Sequence, residues 1–428
     1  MAQAHNRRDF IKFLAAGAAS TTLASCATTP QVQKPIGRVI VIGAGYGGAA
    51  AAKYIRMWSG GRIEVFLIDR ETQFVSCPMS NLVLGGSKKI EDITMNYAGL
   101  REHGVQVLRD EVTGIDTAKK TVQLTRIQDL PYDRLVVSPG IDFMYDQIPG
   151  LNNADAQKTI YHAWKAGPET VALRKQLEAM RDGGVYVLAI PKAPYRCPPG
   201  PYERASQVAY YFKQAKPKSK VLILDGNPDI VSKKGLFLKA WGDHYKGMID
   251  YQPNQEAKDV DLRTLAVKTD FDTFKGDVLN VVPPQKAAGI AAKAGLITSN
   301  NRWCDVNWLT MQSTVNPDIH VLGDATLSAP GMPKSGAMAN QHAKVCAAGV
   351  VALMTGQAVN QTPMMINTCY SFVSDKEAMH VASVHAYDAK DKTLKPVPNS
   401  GGVSSAASEL EGSYGWAWAQ NIWADTLG

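Results

Sequence analysis

The sequence has no C-x-x-C pair and no C-x-x-C-H motif. Its six cysteines, Cys26, Cys77, Cys197, Cys304, Cys346 and Cys369, therefore offer neither the usual zinc spacing nor an attachment point for a c-type haem in this chain. No long run of lysine or arginine occurs, and a formal charge of +7 over 428 residues is only mildly basic, which argues against nucleic acid as a partner. No apolar stretch is long enough to span a bilayer; the segment from Ile11 to Ala24 is short and rich in Ala, Ser and Thr. What is present is a 45% hydrophobic chain, ample for two or three packed domains of roughly 100–200 residues each.

The N-terminal stretch "NRRDFIKFLAAGAASTTLASCATTP" sets a twin arginine, Arg7 and Arg8, before Phe10 and the short apolar segment. This reads as a twin-arginine export signal. That pathway carries proteins already folded, often with a cofactor inside, so the expectation is a cofactor-loaded protein of the bacterial periplasm. "LASC", ending at Cys26, fits two readings: a lipoprotein box that makes Cys26 a lipid-anchored first residue, or ordinary cleavage that discards it. In an oxidising periplasm, widely spaced cysteines can pair as disulfides.

The strongest internal motif is "GRVIVIGAGYGGAAAAKYIRMWSGGRIEVFLIDRE". A continuous apolar strand leads into Gly43, Gly45 and Gly48 as G-x-G-x-x-G, then an alanine-rich helix, then a second strand ending at Asp69. Gly43 permits the tight turn, Gly45 lets the backbone approach a pyrophosphate, and Gly48 lets helix and strand pack closely. The helix N-terminus favours the phosphate charge. Asp69, or its neighbours Arg70 and Glu71, would meet the ribose hydroxyls. Two later segments point to FAD rather than NAD. "YDRLVVSPGI" is a strand ending in a Pro-Gly turn, and "NPDIHVLGDATLS" is a strand ending in Gly323-Asp324, whose Asp would return to the ribityl or pyrophosphate part of FAD. The helix "GAMANQHAKVCAAGVVALMTG" follows, its N-terminus aimed at the flavin. Lys334, just before it, is either a cation beside the reduced flavin or a solvated loop lysine.

A second strand–helix–strand unit begins at Gly183, with a helix from about Tyr202 to Lys213 and a last strand ending at Asp225. Its phosphate loop is gone: "PKAPYRCPPGPYERA" stands where glycines belong. Proline has no N–H and fixes φ, so Pro198, Pro199 and Pro201 cannot build a nest of donors. The electron donor is therefore expected not to be a nicotinamide nucleotide. Cys197 lies instead where doubly wound folds place their ligands. Arg196 and the following helix are expected to lower its pKa and favour thiolate. Cys346, on the apolar face of the long helix, reads as a buried structural thiol, as does Cys304.

The segments "HAWKAGPET", "LRKQLEAMRDGG", "RCPPGPYERASQVAYY", "VLNVVPPQKA", "GLITSNNRWCDV", "HVLGDA", "MPKSGAMANQHAKV", "NTCYS" and "VPNSGGV" resemble the flavoprotein subunit of flavocytochrome c sulfide dehydrogenase, a relative of sulfide:quinone oxidoreductases. The resemblance runs from about Arg38 to Gly428. It implies an α/β fold with two Rossmann-like dinucleotide-binding domains of the glutathione-reductase type and a small C-terminal interface domain. The corresponding division is a signal and linker at 1–35, the FAD-binding domain at 36–158 and 285–360, a second dinucleotide-like domain at 159–284, and the C-terminal domain at 361–428. It implies FAD joined through its 8α-methyl to Cys77, a redox-active disulfide between Cys197 and Cys369, and haem c only in a cytochrome c partner subunit. The implied activity is oxidation of sulfide, with persulfide formed on one cysteine and electrons passed to cytochrome c. Two other readings stand beside it: a membrane-associated sulfide:quinone oxidoreductase, and a non-catalytic flavin-binding electron-transfer subunit. Tyr414, Trp416, Trp418 and Trp423 near the C-terminus suit a packed domain and a protein interface more than a membrane helix.

Overall fold

The computed structural model describes residues 35–428; the twin-arginine segment and Cys26 lie outside the described residues. The fold is α/β. Its first sheet runs Val306–Asn307, Gln312–Ser313, Ile319–Val321, Arg134–Val137, Gly37–Ile42, Ile63–Asp69, Gln106–Arg109. The last five of these strands are parallel. Val39, Ile40 and Val41 are fully buried, as a strand covered on both faces requires. The strand Ile319–Val321 comes from late in the chain and inserts beside Arg134–Val137, so the first sheet is closed by a returning segment.

The second sheet has four parallel strands in the order Ile249–Pro253, Lys220–Asp225, Val185–Ile190, Val278–Val281. Leu173, Val208, Phe212, Phe237 and Trp241 from three helices bury against it. The helix after its proline-rich loop spans Gly200–Ala215, starting two residues earlier than the sequence suggests because Pro201 is accommodated in the first turn.

A third, antiparallel sheet is formed by Met364–Phe372, Ala378–Asp388 and Thr393–Pro396, with Gly402–Val403 added to the middle strand. The last helix, Glu409–Leu427, is capped by Ser408, whose hydroxyl accepts from Glu411 N at 3.2 Å. This helix packs on both the third sheet and the helix Tyr46–Trp58. Polar contacts fix its far end. Asp425 accepts from Tyr54 at 2.5 Å and Asn340 at 2.7 Å and pairs with Lys344 at 2.9 Å, while Lys53 donates to the carbonyls of Ala424 and Asp425. Cations at a helix C-terminus also meet the negative end of its dipole. Trp423 Nε1 donates to the hydroxyl of Tyr46 at 3.0 Å, and that hydroxyl lies 2.7 Å from Ser76 Oγ. No described helix is long and apolar enough to cross a membrane.

Candidate active site

A cavity of about 1300 Å³ opens where the three sheets meet. At one end lie Gly43, Ala44 and Gly45. Gly43 has φ +92°, and a Cβ there would meet the Ser138 carbonyl oxygen at 2.3 Å. Gly45 caps the helix, and a Cβ on it would meet nothing within 4 Å, so its backbone faces open space. Gly48 does not line the cavity; a Cβ there would fall 1.8 Å from the Gly43 carbonyl oxygen, so this glycine serves helix–strand contact. Asp69 and Arg70 line the same end. The Asp69 carboxylate accepts from Ala44 N at 2.6 Å and Glu71 N at 2.9 Å, so it braces the glycine loop as well as facing the cavity.

The returning segment supplies Gly323, Asp324, Lys334 and the first turn of the long helix Gly336–Thr355. Burial pushes the Asp324 carboxyl up, against the pull of Arg196 and Lys334. Among the described residues, none donates a hydrogen bond to its carboxylate, which leaves both oxygens for a ligand's hydroxyls. Lys334 is not a solvated loop lysine. Its ammonium donates to the carbonyls of Asp324 and Thr326 and sits 3.8 Å from the centre of the Trp303 ring. Burial lowers it to about 8.

Cys77 Sγ reaches the cavity and accepts from Arg196 Nη2 at 3.1 Å and Ala166 N at 3.4 Å. Cys197 and Cys369 come from separate segments, one from the loop of the second sheet and one from the first strand of the third, and both line the cavity. Cys197 adopts φ +58°, a left-handed conformation that costs a non-glycine residue about 1 kcal/mol. Its amide donates to the Lys334 carbonyl at 2.7 Å, and its carbonyl accepts from Gly200 N at 2.8 Å. Cys369 Sγ donates to Asn367 Oδ1 at 3.4 Å. No disulfide joins the two; all five described cysteines are thiols, and Cys304 and Cys346 are fully buried.

The expected low pKa of Cys197 is not found. Burial pushes this thiol well up, and the charges of Cys369 and Glu203 add to the rise; Lys233 and Arg196 oppose without prevailing. Burial likewise raises Cys369, with Lys233 the first opposing group. The neighbouring arginine is legible in sequence, whereas the burial is a product of tertiary packing.

Three residues around the cysteines had no assigned role in the sequence reading. Glu203 is buried, accepting from Phe372 N at 2.8 Å and Asn81 Nδ2 at 2.9 Å, and burial raises its pKa. Arg204, also buried, holds Asn81 Oδ1, the carbonyls of His162 and Ala163, and Asn280. Lys233 is buried behind Cys369 and donates to its carbonyl at 3.0 Å. The only local signal was the position of Glu203 and Arg204 in the first turn of the helix after the cysteine loop.

The second sheet's acid is engaged elsewhere. Asp225 Oδ2 accepts from Tyr202 at 2.7 Å and Tyr251 at 3.0 Å, and Asn227 occupies Oδ1. Of the proline-rich loop, Arg196, Cys197, Pro199 and Gly200 face the main cavity. The dinucleotide chemistry is thus concentrated at the first sheet: open glycine backbone, a helix N-terminus, and a desolvated carboxylate. These features fit FAD.

Three family models match the chain. The pyridine nucleotide-disulphide oxidoreductase model covers residues 37–174. The central model of the flavoprotein chain of flavocytochrome c sulfide dehydrogenase covers 170–283, and the flavin-binding model of flavocytochrome c sulphide dehydrogenase covers 361–427. A flavocytochrome c sulfide dehydrogenase flavoprotein chain from Chlorobaculum thiosulfatiphilum is 50% identical over 46 residues, which is 11% of this chain and 94% of that sequence. The mitochondrial sulfide:quinone oxidoreductase of Mus musculus is 21% identical over 313 residues, 67% of this chain and 65% of that one. The chain therefore spans just under two thirds of that relative's length. In three dimensions, the sulfide:quinone oxidoreductase of Aquifex aeolicus superposes with a TM-score of 0.74 at 20% identity over 91% of each chain.

Proposed function

The chain belongs to the family of flavocytochrome c sulfide dehydrogenase flavoproteins, and from that premise we propose that it oxidises sulfide at Cys197 and Cys369 and passes the electrons to a cytochrome c subunit. The observation that carries this reading is the convergence of the two cysteines, from separate segments, on the cavity that also holds Gly43, Gly45 and Asp324. In the oxidised form of the pair, hydrosulfide attacks one sulfur of the Cys197–Cys369 disulfide. One S–S bond breaks and another forms, leaving a persulfide on one cysteine and a thiolate on the other. FAD, when bound, supplies a two-electron acceptor able to release electrons singly to a haem. Gly43, Gly45 and the helix N-terminus at Tyr46 would hold its pyrophosphate, Asp324 its ribityl chain, and Cys77 a thioether to its 8α-methyl. Glu203 is a buried carboxyl whose field reaches Cys197 and disfavours its thiolate. The caged Asp225 and the proline loop support an electron donor other than a nicotinamide nucleotide. The protein is exported by the twin-arginine pathway and works in the periplasm.

Replacing Cys197 or Cys369 with Ser tests the reading. Sulfide-dependent bleaching of the flavin should be lost in both; undiminished bleaching would refute the disulfide route. The similarity to sulfide:quinone oxidoreductases favours a quinone as the second choice of acceptor. Parallel assays with cytochrome c and a soluble quinone decide between them.

A further inference from the structure

Among the described residues, three lysines are buried: Lys53, Lys233 and Lys334. None of the three makes an ion pair within 4 Å: Lys53 donates to the carbonyls of Ala424 and Asp425, and Lys334 to those of Asp324 and Thr326. Lys233 is the one anchored to a cysteine of the proposed pair. Its ammonium donates to the Cys369 carbonyl at 3.0 Å, Ser371 Oγ at 2.8 Å and the Met379 carbonyl at 3.3 Å, all neutral acceptors. Among the described residues, no carboxylate lies within ion-pairing distance of it. Its backbone also takes φ +55°, a left-handed conformation. Desolvating an ammonium with no ion-pair partner is unfavourable, and the left-handed backbone adds to that cost. Lys233 is also the N-cap of the helix Lys234–His244, its carbonyl accepting from Phe237 N at 3.0 Å. The charges whose fields reach this ammonium are those of Cys369, Glu203, Cys197 and Glu411.

We propose that Lys233 is a positioning residue whose ammonium is the built-in countercharge for the sulfur anion released when the Cys197–Cys369 pair is opened. The inference rests on the cysteine chemistry proposed above. Opening the pair with hydrosulfide turns one neutral sulfur into a thiolate inside a site whose burial disfavours anions. A cation anchored to the backbone of Cys369 is present before that charge forms and needs no rearrangement to receive it. Arg196, on the cavity side of the pair, is committed to Cys77 and the Trp164 carbonyl. Glu203 is itself acidic and opposes the thiolate. Lys233 is thus the cation that answers the anion from behind.

The test uses the full-length, FAD-loaded protein with its cysteine pair reduced, and reads the iodoacetamide labelling rates of Cys197 and Cys369 by peptide mass spectrometry. Lys233→Gln should keep two hydrogen bonds but slow labelling at pH 8 about tenfold, the effect of one pKa unit on thiolate fraction. Lys233→Arg should stay within about threefold of wild type. Equal rates in wild type and a folded Lys233→Gln protein overturn the proposal. Should the Gln variant not fold, the wild-type profile decides. Its logarithmic rate should rise with unit slope and flatten as the ammonium titrates near pH 8; unit slope up to pH 10 overturns the proposal. Labelling needs no sulfide, so failure of sulfide turnover with the expected labelling pattern would count against sulfide as substrate and leave the countercharge standing.

Discussion

The amide of Cys197 donates to the carbonyl of Lys334 at 2.7 Å. This bond ties the proline-stiffened loop of the second sheet to the segment that starts the long helix of the first. The position of the sulfur is therefore set by the flavin-side segment as well as by its own strand. Because the bond uses main-chain atoms on both sides, it survives any change of side chain at residue 334.

Lys334→Met keeps that bond and removes a buried ammonium, so the variant isolates the charge. In the wild type the folded pKa is near 8, below the ordinary value of 10.5. Between those values the unfolded chain binds the extra proton, so stability rises with pH; below about 8 the burial penalty is fully present. The unfolding free energy of wild type relative to Lys334→Met should therefore increase from pH 8 to 10.5, by on the order of 1–3 kcal/mol. Urea titrations at several pH values check this, and a flat difference would contradict it.

Gly45→Ala and Gly48→Ala should fail in different ways. At Gly45 a methyl group meets no protein atom, so the fold should survive while FAD binding weakens at least tenfold. At Gly48 the methyl group would collide with the Gly43 carbonyl oxygen, displacing helix from strand and lowering thermal stability of the apoprotein. Thermal melts and flavin titrations of both variants separate the two roles.

Glu203→Gln replaces a group that accepts twice with one that accepts once. The new amide must point a donor at either Phe372 N or Asn81 Nδ2. Asn81 cannot turn to help without opposing Arg204 Nε and losing the Gly200 carbonyl. The expected cost is about 1–3 kcal/mol of stability, measurable by urea unfolding.

The mass of the denatured, exported protein should exceed that of its processed polypeptide by one FAD, and Cys77→Ser should abolish the increment without abolishing flavin binding. The same spectrum reports whether a leader is removed, as the proposed export requires, and whether Cys26 carries lipid.

The glycine loop was readable because its demands are local: each glycine answers to a turn, an approach or a contact within a few residues. Gly323-Asp324 was readable for the same reason, through the strand that precedes it. The cysteine partners were named only through family resemblance, since nothing in "NTCYS" says that it meets "YRCPP". The low pKa expected at Cys197 failed because Arg196 is visible in sequence and burial is not. Lys233 sits in "VSKKGLF", and nothing in that stretch says that the strand Met364–Phe372 covers it.

The bond from Trp423 to Tyr46 joins residues 377 positions apart, one in the phosphate loop and the other in the last helix. The cavity is thus held from the far side of the sequence: losing the last helix would take Trp418 from its lining and the Trp423 bond from Tyr46, while Gly43 and Gly45 stayed in place.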